Sequence, residues 1–343
     1  MLKSLQILRF IAAACVVNYH NTFTFGTFGV DIFFVLSGFV IALVVNDKQE
    51  PTLFVINRIS RIIPLYWLLT SLLLILILVK PQLVHESTIV NTNVVSFISS
   101  LFFIPFYLGD EMKPILSLGW TLNYEMLFYF LVWLSLILTR YSLIFASSIL
   151  LSLFIFFAFI FEIEKFSLFF GNDIILEFIL GIIAFKIYKS NFLYRIPISL
   201  CVFIIITSFS FMAFNESVGV LGNSFSRFII YGIPSFFLVF SCVGLENYIG
   251  KFRPTFVSFF VNMGNASYAT YLTHWYVISF SNKILSEQFG LYNFHSIIGA
   301  IITFIVALIV GQITYKFLDK PMNIIFRTTL INKFSSYKKP KIK

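Results

Sequence analysis

Two histidines, a few carboxylates and a set of arginines are the residues here with chemical reach, and most stand inside long apolar runs. Ionisable groups in such runs are costly and mark functional candidates. Arg9 and His20 fall on one helical face: the rotation between them is within about 20° of three full turns, and the rise is about 16 Å. One face thus carries a guanidinium at one end and an imidazole at the other. An imidazole moves protons near neutral pH, so His20 is a candidate general base or nucleophile. Asp31 follows in Gly29-Val30-Asp31-Ile32-Phe33-Phe34-Val35-Leu36-Ser37-Gly38-Phe39, where a carboxylate can orient that imidazole. Ser37-Gly38 reads as a close helix contact.

Glu125 lies in Gly119-Trp120-Thr121-Leu122-Asn123-Tyr124-Glu125, sharing a face with Thr121 at a depth like that of His20. A lone carboxylate inside a bilayer is expensive, which makes Glu125 the foremost acid candidate. Glu177 is a second buried acid without a comparable motif. Arg58 and Arg61 sit at i, i+3 in Asn57-Arg58-Ile59-Ser60-Arg61-Ile62-Ile63-Pro64, and paired guanidinium groups grip phosphate oxygens. They suit a polyphosphate-bearing donor. Late in the chain, Ser267 and His274 share a face within Gly264-Asn265-Ala266-Ser267-Tyr268-Ala269-Thr270-Tyr271-Leu272-Thr273-His274-Trp275. Thr121 and Ser267 offer hydroxyls to an oxyanion.

Each residue also has an ordinary reading. Arg9 can snorkel to headgroups, Asp31 can cap a helix, Arg58 and Arg61 can simply mark the inner face, and His274 can be a hydrogen-bonded structural histidine. His85 and His295 fall in or near loops and carry no argument. There is no Gly-rich phosphate loop, zinc-type Cys/His cluster or Gly-x-Ser-x-Gly elbow, so no metal is expected. Cys15, Cys201 and Cys242 all lie in apolar runs, which argues against a disulfide framework.

The elements that must hold these groups are membrane helices. Of the 343 residues, 59% are hydrophobic and only 11% charged, against about 25% charged in a soluble domain. Ten runs are long enough to cross a bilayer: about 4–21, 28–45, 62–79, 119–138, 142–161, 174–189, 196–214, 227–245, 262–281 and 294–317. A shorter piece at about 94–108, interrupted by Pro105, reads as re-entrant or interfacial on the outside. The expected fold is an all-α, polytopic membrane helical bundle. Residues 1–321 form its membrane domain and 322–343 a basic cytoplasmic tail. With both termini inside, most of the 24 Lys and Arg fall on the inner face, and Lys80, Lys113, Lys165, Arg227 and Lys283 face outward. The net charge of +9 then reflects topology and headgroup contact, and calls for no nucleic acid.

Taken in order, these segments resemble acyltransferase family 3, the integral-membrane O-acyltransferases. The family's Arg-x10-His pair resembles Arg9 and His20. Its Gly-Val-Asp-x-Phe-Phe-x-Leu-Ser-Gly-Phe run resembles Gly29 to Phe39, and its Arg-x-x-Arg motif resembles Arg58 and Arg61. Its Trp-Ser-Leu-x-x-Glu resembles Trp120 to Glu125, with Thr121 for Ser. Its Ser-Tyr-x-x-Tyr-Leu-x-His-Trp resembles Ser267 to Trp275, and its closing Glu-x-Pro resembles Asp319-Lys320-Pro321, with Asp for Glu. The matches run from about residue 5 to 321. The resemblance implies a bacterial inner-membrane enzyme, an acyl-CoA donor (usually acetyl-CoA) and a carbohydrate acceptor such as an exopolysaccharide or its lipid-linked precursor. It resembles the stand-alone members that lack an esterase-like domain.

On this reading Arg9, Arg58 and Arg61 hold the CoA phosphates, and His20 serves as base or acyl acceptor. Glu125 or Asp31 orients it or binds sugar, and Thr121, Ser267 and His274 serve in weaker substrate or oxyanion roles. Two rival readings are a glycolipid transporter, which needs no CoA, and a lipid-linked sugar polymerase, which would rely on Asp110-Glu111 instead.

Overall fold

A computed structural model describes residues 2–21, 25–46, 50–84, 88–89, 92–105, 113–139, 141–160, 164–219, 227–281 and 297–338. Asp110-Glu111, His85 and His295 lie outside the described residues. Among those described there are helices and no strands. The principal helices are α1 (Lys3–His20), α2 (Gly29–Asn46), α3 (Pro51–Val79), α4 (Val94–Leu101), α5 (Trp120–Leu138), α6 (Ser142–Ile155), α7 (Glu164–Phe170), α8 (Ile175–Lys189), α9 (Ile198–Val218), α10 (Ile233–Gly244), α11 (Pro254–Asn265), α12 (Ser267–Phe280), α13 (Ile297–Thr314) and α14 (Lys320–Lys338).

A helix occupies each of the ten places where the apolar runs predict one. Six helical stretches are long and apolar enough to cross a membrane by length and composition: Pro51–Val79, Ser117–Leu138, Ser142–Ile160, Ser167–Lys189, Ile198–Val218 and Ile297–Phe334. α2 and α10 are apolar but shorter. α1 and α12 carry more polar residues, Gln6, Arg9, Asn18 and His20 on one and Ser267, Thr270, Thr273 and His274 on the other. Large apolar side chains point outward along α9 and α13, including Phe203, Ile206, Ile301, Ile305 and Ile309. An apolar exterior of this kind suits hydrocarbon rather than water.

Three boundaries differ from the sequence reading. α3 begins at Pro51 rather than near residue 62, and it carries Arg58 and Arg61 on a helix, as their i, i+3 spacing leads one to expect. Proline is well suited to a first helical position, because the N–H it lacks would be unpaired there anyway. α4 has eight residues, too few to cross a bilayer, and is closed by an Asn93–Ser96 capping box. Last, the chain stays helical through the stretch read as a basic tail from residue 322, as far as Lys338. After a wide turn at Tyr315–Asp319 it continues as α14, which packs against α3.

Close approach is achieved through glycine. A Cβ built on Gly38 would overlap the Phe178 carbonyl, and one on Gly181 the Val35 carbonyl, so α2 and α8 touch backbone to backbone. Without a hydrophobic drive between helices in lipid, such contact is a main source of packing energy. Gly38 therefore does what the sequence suggests, whereas its neighbour Ser37 turns to a different task.

One ion pair ties together two segments 196 residues apart. Arg227 donates from Nε to Asp31 Oδ1 at 2.9 Å and from a terminal nitrogen to Asp31 Oδ2 at 2.7 Å. Asp31 is fully buried. Asp173 accepts the backbone N–H of Phe228 at 2.8 Å, and Glu177 is buried with Oε1 against Gly232. The expectation that Asp31 orients the His20 imidazole is thereby corrected, since both of its oxygens are taken by a guanidinium fork. Arg227, read from sequence as an outward-facing charge, is an internal partner.

Two stability outcomes follow. Gly181→Ala should lower the melting temperature of the purified protein, because the added methyl meets backbone and overpacking costs about 1–3 kcal/mol; an unchanged melting curve would refute the contact. Asp31→Asn should destabilise by about 3–5 kcal/mol, as breaking one half of a buried pair does. Removing both partners in Asp31→Asn/Arg227→Gln should recover part of that loss, and a double variant no better than the single one would argue against the pair.

Candidate functional site

α12 acts as a ruler for the site, one turn at a time. In its first turn Ser267 Oγ accepts a hydrogen bond from Arg9 Nε at 3.1 Å. Beside it the Tyr268 ring faces the Arg61 guanidinium at 5.3 Å, while its hydroxyl donates to the Ile62 carbonyl at 2.7 Å. In the second turn the Tyr271 hydroxyl lies 2.9 Å from Thr121 Oγ1, and both reach the Leu118 carbonyl. In the third turn the His274 ring lies 5.3 Å from the His20 ring and 5.9 Å from Tyr271. From Ser267 to His274 the rise is about 10 Å. The arginines and the imidazoles are therefore at two different levels, with Tyr271 and Thr121 between them.

α5 runs past this ladder in the opposite sense. Thr121 is at the Tyr271 level, and two turns later the Tyr129 ring stands 5.8 Å from the Arg58 guanidinium. Glu125 falls between. Its Oε1 accepts hydrogen bonds from Ser37 at 3.1 Å and from the Tyr129 hydroxyl. Glu125 thus sits nearer the arginines than the sequence suggests, and its hydrogen-bond partners are hydroxyls and not an imidazole. A buried carboxylate needs such donors.

Arg9, Arg58, Arg61, Thr121 and Glu125 line one cavity of about 620 Å³. Gln6, Ser37, Tyr129, Tyr268 and Tyr271 share its wall. The five cavity-lining candidates come from three helices, α1, α3 and α5, and from positions 9 to 125 of the chain. His20, His274, Asp31 and Ser267 are not in its lining. His274 is wholly buried, and its Nε2 has no hydrogen-bond partner among the described residues. It stands between Tyr271, which faces the cavity, and His20, which is exposed.

The arginines are held in different ways. Arg61 pairs with Asp319 at 2.9 Å, so the closing Asp-x-Pro of the sequence acts through the Arg-x-x-Arg motif. Arg58 lies against the rings of Phe54 and Tyr129, and its Nε is buried without a hydrogen-bond partner among the described residues. That unpaired donor at a cavity wall is suited to an anionic ligand. Ser267 holds Arg9 and does not face the cavity. The Thr121 hydroxyl is engaged by Leu118 and Tyr271. Thr121 thus spends its proton on the Leu118 carbonyl, whereas Ser267 only accepts from Arg9 and keeps its proton outside the cavity lining.

Sequence reasoning missed Ser37, Tyr129, Tyr271 and Arg327 as parts of this wall. Tyr129 was within reach, standing one turn after Glu125. Among the described residues no cluster of His, Cys, Asp and Glu could hold a metal.

The model of the Acyltransferase domain matches residues 2–316 of the chain. The exopolysaccharide production protein ExoZ of Rhizobium meliloti is 32% identical over 305 residues, covering 88% of this chain and 90% of that protein. The O-acetyltransferase OatA of Staphylococcus aureus is 24% identical over 359 residues, covering 94% of this chain. The chain spans 57% of the length of that relative. No solved structure matches the chain. With the family's model covering nearly its whole length, this chain belongs to acyltransferase family 3, the family of the Acyltransferase domain.

Proposed function

We propose that this protein is a multi-pass bacterial inner-membrane O-acyltransferase. It carries an acyl group, acetyl above all, from cytoplasmic acyl-CoA to a hydroxyl of an exported polysaccharide or its lipid-linked precursor. In this reading ten helices cross the bilayer and both termini are cytoplasmic. The excess of Lys and Arg on the inner segments supports that orientation. The names of the two relatives, an exopolysaccharide production protein and an O-acetyltransferase, support a polysaccharide acceptor and an acetyl group.

The observation that carries the proposal is the cavity of about 620 Å³ with arginines at one level and Glu125, Thr121 and Tyr271 at the next. Arg58, Arg61 and Arg9 would take the phosphates of the donor. The pantetheine arm would follow the ladder of α12 from Ser267 towards His274, bringing the thioester to the imidazole level. There the sugar hydroxyl oxygen bonds to the acyl carbon and the C–S bond breaks. The hydroxyl proton passes to the His20 imidazole and on to the departing thiolate sulfur. A sugar hydroxyl is a weak nucleophile at neutral pH, so a positioned base is needed. His274 supports the geometry by standing between His20 and the cavity. Glu125 would hold sugar or donor groups through the same hydroxyl set that holds it.

Acetyl transfer in membrane vesicles tests this. Radiolabelled acetyl-CoA is supplied to vesicles containing the native acceptor, and alkali-labile label in the polysaccharide is counted. His20→Ala and Glu125→Ala should each lower the rate about 100-fold or more, with unchanged amounts of folded protein in the membrane. Full transfer by His20→Ala would remove that residue from the chemistry. No label with the unaltered protein would exclude acetyl-CoA as donor and favour the transporter reading.

A further inference from the structure

The cavity has a wall that lies beyond the matched family region. α14 contributes Asn323 and Arg327 to its lining, whereas the family match ends at residue 316. α3 and α14 run antiparallel along this wall. Arg61 meets Asp319 at 2.9 Å, and one turn earlier on α3 Asn57 Oδ1 accepts from Arg327 Nε at 2.7 Å. The wide turn at Tyr315–Asp319 sets this register, because it lets the chain leave α13 and still present Asp319 to Arg61.

The cations of the cavity are not equivalent. Arg61 is offset by Asp319, and Arg9 is bound to Ser267. Arg58 is half-buried against two rings. Arg327 is exposed, lines the cavity and donates from Nε to Asn57, its hydrogen bond among the described residues, which fixes the guanidinium plane and leaves its terminal N–H donors for a ligand. A guanidinium oriented by a neighbouring amide at the mouth of a basic cavity is suited to a phosphate that stays outside as the rest of the ligand enters.

We propose that Arg327, held by Asn57, binds the ribose phosphomonoester of the acyl-CoA donor and so makes α14 a specificity element of the donor site. This rests on the acyl-CoA reading above. The pyrophosphate then falls to the deeper arginines, and the phosphomonoester, with a charge of roughly −1.5 to −2 near neutral pH, meets Arg327. The same guanidinium chemistry would also accept a lipid phosphate, so the test separates the two sources.

Binding of CoA and of 3′-dephospho-CoA is measured by calorimetry on the full chain in phosphatidylcholine nanodiscs, with melting curves as a folding control. The unaltered protein should prefer CoA about tenfold. Arg327→Ala should bring CoA down to the dephospho-CoA affinity while leaving dephospho-CoA unchanged, and Arg327→Lys should keep part of the preference. An intact preference in Arg327→Ala, or an equal loss for both ligands, would overturn the proposal. So would a loss seen only in nanodiscs containing phosphatidylglycerol, which would give Arg327 to lipid. An unaltered protein that binds neither ligand would instead overturn the acyl-CoA reading itself.

Discussion

A charge inside an apolar bundle must find its partner within the protein, and the layout of this molecule follows from that requirement. Arg227 is matched by Asp31, Arg61 by Asp319, and Glu125 by the hydroxyls of Ser37 and Tyr129. All but the Glu125–Tyr129 contact, one turn apart on α5, join segments far apart in the chain. The Arg227–Asp31 fork brings the entry to α10 onto α2, and the Arg61–Asp319 pair clamps the junction of α13 and α14 onto α3. Leaving either partner alone would bury an uncompensated charge, so these pairs exclude other arrangements of the same helices as strongly as they stabilise this one.

Packing supplies the rest. α2 runs through the middle of the bundle and meets α8 where glycine faces backbone on both sides. Gly264 on α11 lies against the backbone of Gln6 in the same way, so α1 is held by side-chain-free contact at its first turns. The first turn of α1 is also tied down by Glu246, whose carboxylate accepts the N–H groups of Lys3 and Ser4 at 2.9 and 2.8 Å. A carboxylate at a helix N-terminus pairs with unsatisfied donors and with the helix dipole together. Arg9 and His20 therefore sit on a rod fixed at its start, with the α12 ladder beside it.

The separation of the polar groups into levels is what makes the site directional. Cations gather around the first turn of α12, paired hydroxyls around the second and imidazoles at the third. On the proposed reading an anionic donor would enter at the level of the arginines and the chemistry would take place at that of the imidazoles.

The sequence alone determined that the chain is helical and apolar, and it named five residues, Arg9, Arg58, Arg61, Thr121 and Glu125, that come to line one cavity. Hydropathy follows from local composition, so helices stand in all ten apolar runs. Arg9 and His20, or Thr121 and Glu125, share faces because helical periodicity is a local property. What it could not determine is which buried charge meets which. Asp31 lies close to His20 in sequence yet pairs with Arg227, and Glu125 reaches Ser37 beyond its helical neighbour Tyr129, because those distant partners are chosen by the packing of α2 against α5, α8 and α10. The stretch after residue 321 reads as a basic tail, since its charges and low hydropathy are local. Only its docking on α3 reveals a helix that completes the cavity wall through Arg327.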